Sequence, residues 1–294
     1  VIDVHDPARP VEVGHDDVPG RSKFFADVAI GTDRSSGRVY AYVADALPEN
    51  TGLRIIDVSD PAAPEQVGQL LWEDGGARDV RAYGLAVDGD YAYLAVGGAG
   101  LRVVDVSDPS APVEVGTLAV PGRANNLVVA DDRAYLVDGD LRIVDISDPA
   151  SPREIGFYAV PNLSAWPYVA VQGHYAYLTA RGIGVLDVSD PGAPVEMASY
   201  PLAQGYVAVA NGMVYVTGDG LSILRPRALT EATVSPRATP KPECETYTAS
   251  AGFEFHSGYP EPAPWVSESR GPLDVTVMSP EPELVPEGVF WHGG

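Results

Sequence analysis

Apolar and polar positions alternate in short bursts along the first 225 residues of the chain, and no segment sustains the spacing of an amphipathic helix. Brief runs of Val, Ile, Leu, Ala and Tyr are cut by clusters of Asp, Gly, Asn and Pro, which is the pattern of short strands joined by tight turns. One burst recurs almost verbatim. Leu53-Arg54-Ile55-Ile56-Asp57-Val58-Ser59-Asp60-Pro61, followed by Pro64 and Val67-Gly68, returns at 101–116, at 141–156 and, with looser ends, at 183–198. A fifth copy starts at Ile2-Asp3-Val4-His5-Asp6-Pro7, and a degenerate one stands at Leu221-Ser222-Ile223-Leu224.

The leading aspartates of the phrase, Asp3, Asp57, Asp105, Asp145 and Asp187, lie 54, 48, 40 and 42 residues apart. Units of this size stack into solenoids, propellers or arrays. Between phrases runs a second repeated element, Tyr91-Ala92-Tyr93-Leu94 and its counterparts at Tyr42, Tyr135, Tyr177 and Tyr215. Each follows a Val/Ala-rich run and a turn such as Asp88-Gly89-Asp90 or Asn211-Gly212. One unit therefore reads as a four-stranded meander: a small inner strand, the tyrosine strand, the Leu-Arg-Ile-Val-Asp strand and an outer strand near Val115-Gly116. Neighbouring apolar residues such as Ile55-Ile56 and Val103-Val104 place apolar groups on both faces, so each sheet is expected to lie between two others. Radial packing of four-stranded blades meets that demand and leaves few exposed edges.

The phrase Leu-Arg-Ile-Val-Asp-Ile-Ser-Asp-Pro at 141–149 resembles the LVIVD repeat, a β-propeller-forming repeat of bacterial and archaeal surface proteins. The resemblance covers roughly residues 1–225 and implies a propeller on or outside the cell; it carries no catalytic residues with it. The expected fold is all-β: a propeller of four-stranded blades over 1–224, a Pro-rich linker over 225–243, and a partial β-domain or irregular tail over 244–294. Inner strands are expected near 24–30, 82–87, 125–130, 166–171 and 205–210. The opening unit lacks inner strands and the closing unit lacks an outer one. A blade shared between the chain ends, with its outer strand near 11–14, would close five blades. The alternative is a fragment of a six- or seven-bladed propeller.

The formal charge of −22, from 41 acidic and 19 basic residues, excludes the basic footprint that nucleic acids and anionic membranes require. No apolar run has the length of a membrane span. The 225–243 segment carries four prolines among Thr, Ala and Ser, and the tail holds one plausible strand at Leu273–Met278. A single cysteine, Cys244, leaves no internal disulfide to form.

Residues present in every unit are expected to hold the unit together. The aspartates before proline, Asp60, Asp108, Asp148 and Asp190, suit turns, and each loop offers too few oxygens for calcium. Asp57, Asp105, Asp145 and Asp187 are expected inside an apolar strand, where they must be hydrogen-bonded, by one shared bond to the neighbouring turn or tyrosine strand, and Tyr93, Tyr135 and Tyr177 suit packing. The informative positions are those that differ between units, in the joins from each outer strand to the next inner one. These carry Arg21 and Lys23; Arg78, Arg81 and Tyr83; Arg123 and Asn125; Trp166 and Tyr168; and Tyr206. Guanidinium groups suit carboxylate or sulfate, and aromatic faces suit sugar rings, so this rim is the candidate ligand-binding site.

Catalytic patterns are sparse. The five histidines lack metal-ligand spacing, no nucleophile elbow or phosphate loop is present, and no metal or cofactor is expected. The expectation is a non-enzymatic extracellular or cell-surface scaffold whose partner is a surface protein or a glycan. Two alternatives stand beside it: a glycosidase-like enzyme using Asp27 and Asp79 at the same mouth, and a structural spacer of an envelope layer.

Overall fold

The computed structural model describes residues 1–15, 25–46, 51–72, 80–160, 167–180, 182–201, 205–218, 220–226, 247–250, 253–255 and 274–277. These fall into two compact units, Val1–Val160 and Pro161–Gly294. The first unit opens with an antiparallel pair, β1 (Ile2–Asp3) and β2 (Val11–Glu12). Three four-stranded meanders follow: β3 (Phe25–Thr32), β4 (Val39–Asp45), β5 (Gly52–Asp57) and β6 (Glu65–Leu71); β7 (Ala82–Asp88), β8 (Tyr91–Val96), β9 (Leu101–Asp105) and β10 (Val113–Leu118); and β11 (Asn126–Ala130), β12 (Arg133–Val137), β13 (Leu141–Asp145) and β14 (Arg153–Tyr158). Every pairing within them is antiparallel.

The second unit holds a fourth meander, β15 (Tyr168–Gln172), β16 (Tyr175–Thr179), β17 (Ile183–Asp187) and β18 (Val195–Tyr200). A fifth sheet starts with β19 (Val207–Ala210), β20 (Met213–Thr217) and β21 (Leu221–Pro226). Beyond it lie β22 (Tyr247–Ser250), β23 (Phe253–Phe255) and β24 (Asp274–Val277), with β22 paired to β24. The inner, tyrosine and phrase strands fall where the sequence places them. The fourth strand of the last sheet does not: β23 pairs with β21, Leu224 facing Phe255, whereas residues 11–14 were expected there. Residues 11–12 pair with β1 instead. The alternating aromatic run Phe253-Glu254-Phe255 satisfies the open edge of β21, so the tail contributes a strand to the repeat region.

Hairpin chemistry explains the meander. Between β19 and β20 both turn residues, Asn211 (φ 53°) and Gly212 (φ 71°), have positive φ, as the favoured two-residue β-turn requires. Between β11 and β12 the same geometry falls on Asp131 (φ 51°) and Asp132 (φ 57°), where no glycine relieves it. Each phrase strand meets its outer strand with a bulge: Val67, Val115, Ile155 and Met197 are the residues skipped by the register. The glycine after the first two of these is fixed by packing. A Cβ on Gly68 would overlap the Pro109 carbonyl, and one on Gly116 the Pro149 carbonyl, so each outer strand is seated against the Asp-Pro turn of the following sheet.

The cores lie between consecutive sheets. Tyr40, Tyr42, Leu53 and Ile55 of the first sheet pack on Leu85, Leu94 and Val104 of the second. Tyr93, Leu101 and Val103 of the second pack on Leu127, Leu136 and Val144 of the third. In the other unit Tyr177, Ile183 and Val185 meet Val214, Val216 and Leu224. Both faces of a central sheet are thus apolar because both are covered. Burial pushes the Tyr93 phenol up to about 12. Among the described residues no helix is long and apolar enough to cross a membrane.

Candidate functional site

The repeated aspartates are turn residues. The leading one accepts the amide of the residue two positions on, as Ser59 to Asp57 (2.9 Å), Ser107 to Asp105 (2.9 Å), Ser147 to Asp145 (3.1 Å) and Ser189 to Asp187 (2.8 Å). The second aspartate does the same for Ala62, Ser110, Ala150 and Gly192. Two tandem side-chain turns close each phrase. The leading aspartates end their strands rather than sit inside them, and their bonds stay within their own phrase, with Arg38 adding a 2.7 Å pair to Asp57. Serine hydrogen bonds hold the Asp57, Asp108, Asp145 and Asp187 carboxyls below their ordinary pKa.

The phrase arginine forms a buried ion-pair station. Arg54 Nε donates to Asp45 at 2.9 Å and its Nη1 to Gln66 and Gln69 at 3.1 Å. Arg142 Nε donates to Asp138 at 2.7 Å and Nη1 to Glu154 at 2.8 Å, with the guanidinium 5.0 Å from the Phe157 ring. Asp138 also accepts the Gly122 amide. In the second sheet Val96 follows Ala95, the partner of Leu101, where Asp45 and Asp138 follow Ala44 and Val137. Arg102 Nε is consequently a buried donor without a partner among the described residues, while Nη1 pairs with Glu114 at 2.6 Å and the guanidinium lies over Trp72. In the fourth sheet Gly184 takes the arginine's place. This station was not foreseen as a unit, although its sequence signal exists: Arg54, Arg102 and Arg142 are each followed twelve residues later by Gln66, Glu114 or Glu154.

The joins present a different picture. Aligned on the tyrosine strands, Asp27, Gly84, Asn126, Tyr168 and Tyr206 hold one position, just before the Val or Leu of each inner strand. No two neighbouring units of the first three share a residue type there. In the first unit the Asp27 carboxylate accepts the Leu85 amide at 2.9 Å and its neighbour Val28 at 2.8 Å, and burial raises its pKa against those two bonds. It staples the first inner strand to the second. Arg123 Nη2 donates to the Tyr83 hydroxyl at 3.1 Å and its guanidinium stands 5.8 Å from that ring. Asn125 is buried two residues on, its amide donating to the Val137 carbonyl, and its Oδ1 has no partner among the described residues. Arg81 is half-buried one residue before β7.

In the second unit Tyr168 and Tyr206 are brought together, ring centroids 4.1 Å apart at 38°. Their backbones are fixed alike: Thr179 Oγ1 accepts the Tyr168 amide at 3.0 Å and Thr217 Oγ1 the Tyr206 amide at 2.9 Å. Thr179 in turn donates to the Gly205 carbonyl at 2.9 Å, tying the two joins. Tyr206 is 64% exposed. Arg21, Lys23, Arg78 and Trp166 lie outside the described residues, as does Asp79. Among the described residues no three His, Cys, Asp or Glu side chains converge as a metal-binding group.

The LVIVD repeat model matches residues 36–71, 75–120, 121–160 and 167–201, more than half of the chain. The chain belongs to the LVIVD-repeat family. Three of its four matched repeats span whole meanders and the first covers β4 to β6, which makes it a β-propeller-like repeat protein. No curated protein matches it. Among solved structures, it resembles a functionally unknown protein from Desulfotomaculum acetoxidans DSM 771, with TM-score 0.58 and 14% identity over 74% of this chain and 70% of that one. It resembles the computationally designed Ika8 protein with TM-score 0.51 and 10% identity, over 70% of this chain and 60% of that one. BamB from Moraxella catarrhalis is matched with TM-score 0.42 and 17% identity, over 69% and 55% respectively. At these identities the first two likenesses concern the fold alone. Within this LVIVD-repeat protein, the phrase residues are occupied by turns and ion pairs, and the joins are where side chains of unlike chemistry collect.

Proposed function

We propose that this protein is a non-enzymatic extracellular or cell-surface propeller, with the five four-stranded sheets as blades, that binds a carbohydrate or anionic ligand at the joins. The observation that carries this reading is the stacked Tyr168–Tyr206 pair, exposed at Tyr206 and pinned through both backbones by threonine hydroxyls. A flat aromatic face on a rigid strand end loses little entropy on binding and suits the apolar face of a sugar ring. Arg123 over Tyr83 offers a planar cation in the other unit, suited to a carboxylate or sulfate group. An overall charge of −22 supports a partner other than nucleic acid.

The test is calorimetric titration of the protein with a panel of neutral, uronic and sulfated oligosaccharides. Tyr206→Ala is expected to weaken the best ligand by about tenfold, equivalent to ~1.4 kcal/mol, without altering the melting temperature. Arg123→Gln is expected to weaken acidic ligands more than neutral ones. Binding that is indifferent to Tyr206 and Arg123, or a panel without a ligand, overturns the reading.

A further inference from the structure

Two consecutive joins of the first unit carry the same short pattern, Arg81-Ala82-Tyr83-Gly84-Leu85 and Arg123-Ala124-Asn125-Asn126-Leu127. Their registers agree, since Gly84 faces Ala95 and Asn126 faces Val137, equivalent positions on the two tyrosine strands. Ala82 and Ala124 are both 0% exposed and belong to the cores on either side of the second sheet. With each alanine turned into a core, the arginine before it leaves on the other side of the extended backbone. Ala124 is fixed there by exchanging both backbone hydrogen bonds with Gly97, each 2.9 Å. In β7 the ladder skips Tyr83, a bulge that re-aims its side chain, and Asn125 holds the same place one join later.

The two joins lie side by side. A Cβ on Gly84 would stand 2.9 Å from the Asn126 Cα and 3.1 Å from the Leu127 nitrogen, so the inner strands touch at their starts and only a glycine fits between them. Across this contact Arg123 Nη2 reaches the Tyr83 hydroxyl at 3.1 Å. One cluster therefore gathers Arg81, Tyr83, Arg123 and Asn125.

Two polar groups in the cluster are unsatisfied. The Arg81 guanidinium is half-buried and has no hydrogen bond, ion pair or ring contact with any described residue. Asp27, the carboxylate that reaches β7, already accepts the Leu85 and Val28 amides. Asn125 is 8% exposed, and its Oδ1 has no donor among the described residues. Elsewhere in the same unit arginines of comparable burial are met by acceptors on two sides, as Arg54 and Arg142 are. A cation without an anion and a buried amide oxygen without a donor are each unfavourable alone. A ligand that brings a carboxylate and a hydroxyl together relieves both.

Resting on the reading that the joins bind sugars or anions, we propose that this cluster is a subsite for a hexuronic acid residue. Arg81 takes the sugar carboxylate in its planar fork. The Asn125 amide turns outward about its side-chain bonds and accepts a ring hydroxyl at Oδ1, while the Tyr83–Arg123 pair walls the site. Carboxylate and hydroxyls stand on one ring, so a single sugar residue reaches both groups. A neutral sugar leaves Arg81 without a counter-charge, and a simple anion leaves Asn125 without a donor.

The full chain is titrated calorimetrically with trigalacturonate and with its carboxyl-reduced, neutral trisaccharide. Trigalacturonate is expected to bind more tightly by about tenfold or more. Arg81→Gln removes that advantage and leaves the neutral trisaccharide unaffected. Asn125→Ala weakens both by about tenfold. Arg153→Gln, in an exposed pair with Asp145 at the phrase end, changes neither. The ratio of the two affinities reports on Arg81 alone, so the outcome does not rest on the Asn125 variant folding. Trigalacturonate binding that is indifferent to Arg81 and Asn125, or an equal affinity for the two trisaccharides, overturns the proposal. If that binding is instead lost in Tyr206→Ala, the broader reading stands while this one falls. Should neither trisaccharide bind, this proposal falls, and the broader reading falls with it only if the whole oligosaccharide panel fails too.

Discussion

The phrase turns and the joins sit at the ends of the same strands, yet they differ in almost every respect. Each of the four full phrases carries the same two aspartates, and each carboxylate is satisfied by an amide two residues on. The first three joins carry different side chains and the last two share a tyrosine, and the contacts are of different kinds: a carboxylate staple at Asp27, a guanidinium over Tyr83, and a close, tilted ring pair at Tyr168 and Tyr206. A site repeated unchanged in four units is doing what every unit needs, which is to turn the chain and seat the next sheet. A position that changes from unit to unit is released from that demand. Repetition inside one chain therefore separates the residues that build every unit from those that are free to differ, without any alignment to other chains.

The sharpest way to break this distinction is to remove the buried polar partner of a phrase arginine. Asp138→Ala leaves Arg142 buried without its Nε partner and orphans the Gly122 amide, so unfolding in urea is expected to show a loss of about 3–5 kcal/mol. A loss below ~1 kcal/mol would place the arginine station among surface pairs and undo the contrast with the joins.

Next in size is the seat of the outer strand. Gly116→Ala drives a methyl into the Pro149 carbonyl and is expected to cost about 1–3 kcal/mol. Gly184→Ala, where the nearest atom to a new Cβ is the Leu178 carbonyl at 3.7 Å, is expected to be neutral or to gain up to about 1 kcal/mol. The pair of melting curves sharpens the comparison, because one glycine is held by packing and the other merely replaces a phrase arginine.

Smaller again is the turn between β11 and β12. Asp132→Gly, at φ 57°, is expected to stabilise by about 0.5–1 kcal/mol as the left-handed conformation loses its steric penalty, read as a raised urea midpoint at constant slope.

The smallest effect is the pH response of the phrase turns. Asp57, Asp108, Asp145 and Asp187 have folded pKa values below their ordinary ones, and Ser35 and Ser36 lower Asp33 to about 2. Carboxyls with depressed folded pKa contribute stability that is complete above about pH 4 and disappears as pH falls through the folded values. Asp145→Asn keeps an acceptor for the Ser147 amide and removes the titration. Its stability is expected to fall less steeply than the parent's between about pH 4 and 2, in a shallow difference because the group is exposed.

The meanders were legible in the sequence because each strand carries its own instruction. Alternating residues such as Tyr91-Ala92-Tyr93-Leu94, bounded by Asp-Gly turns, leave a hairpin as the local solution, and four copies remove ambiguity of register. The turn role of Asp60, Asp108, Asp148 and Asp190 was legible for the same reason, since an Asx turn is closed within three residues, whereas the leading aspartates read as strand residues and proved to be turn residues too. The partners of Arg54, Arg102 and Arg142 were not, because they come from an adjacent hairpin end and the outer strand, and charge alone does not announce burial. Nor was the seating of Gly68 and Gly116, which depends on a proline some forty residues away. At the rim, Tyr168 and Tyr206 were each legible as candidates, but their stacking depends on how two consecutive sheets meet.

By itself the sequence determined the all-β class, the four-stranded unit and the family, since these follow from local periodicity and repetition. Tertiary structure decided three further matters. It set β23 rather than residues 11–14 on the edge of the last sheet, it brought the Tyr206 ring to 4.1 Å from that of Tyr168, and it left Ile2, Val4 and Val28 exposed where their counterparts in the second, third and fourth sheets are buried. The physical reason is common to all three. Strand edges and apolar faces in a repeat chain are chemically alike in every unit, so local sequence cannot rank the possible partners, and the pairing is chosen by which edge and which face remain unsatisfied once the others have closed.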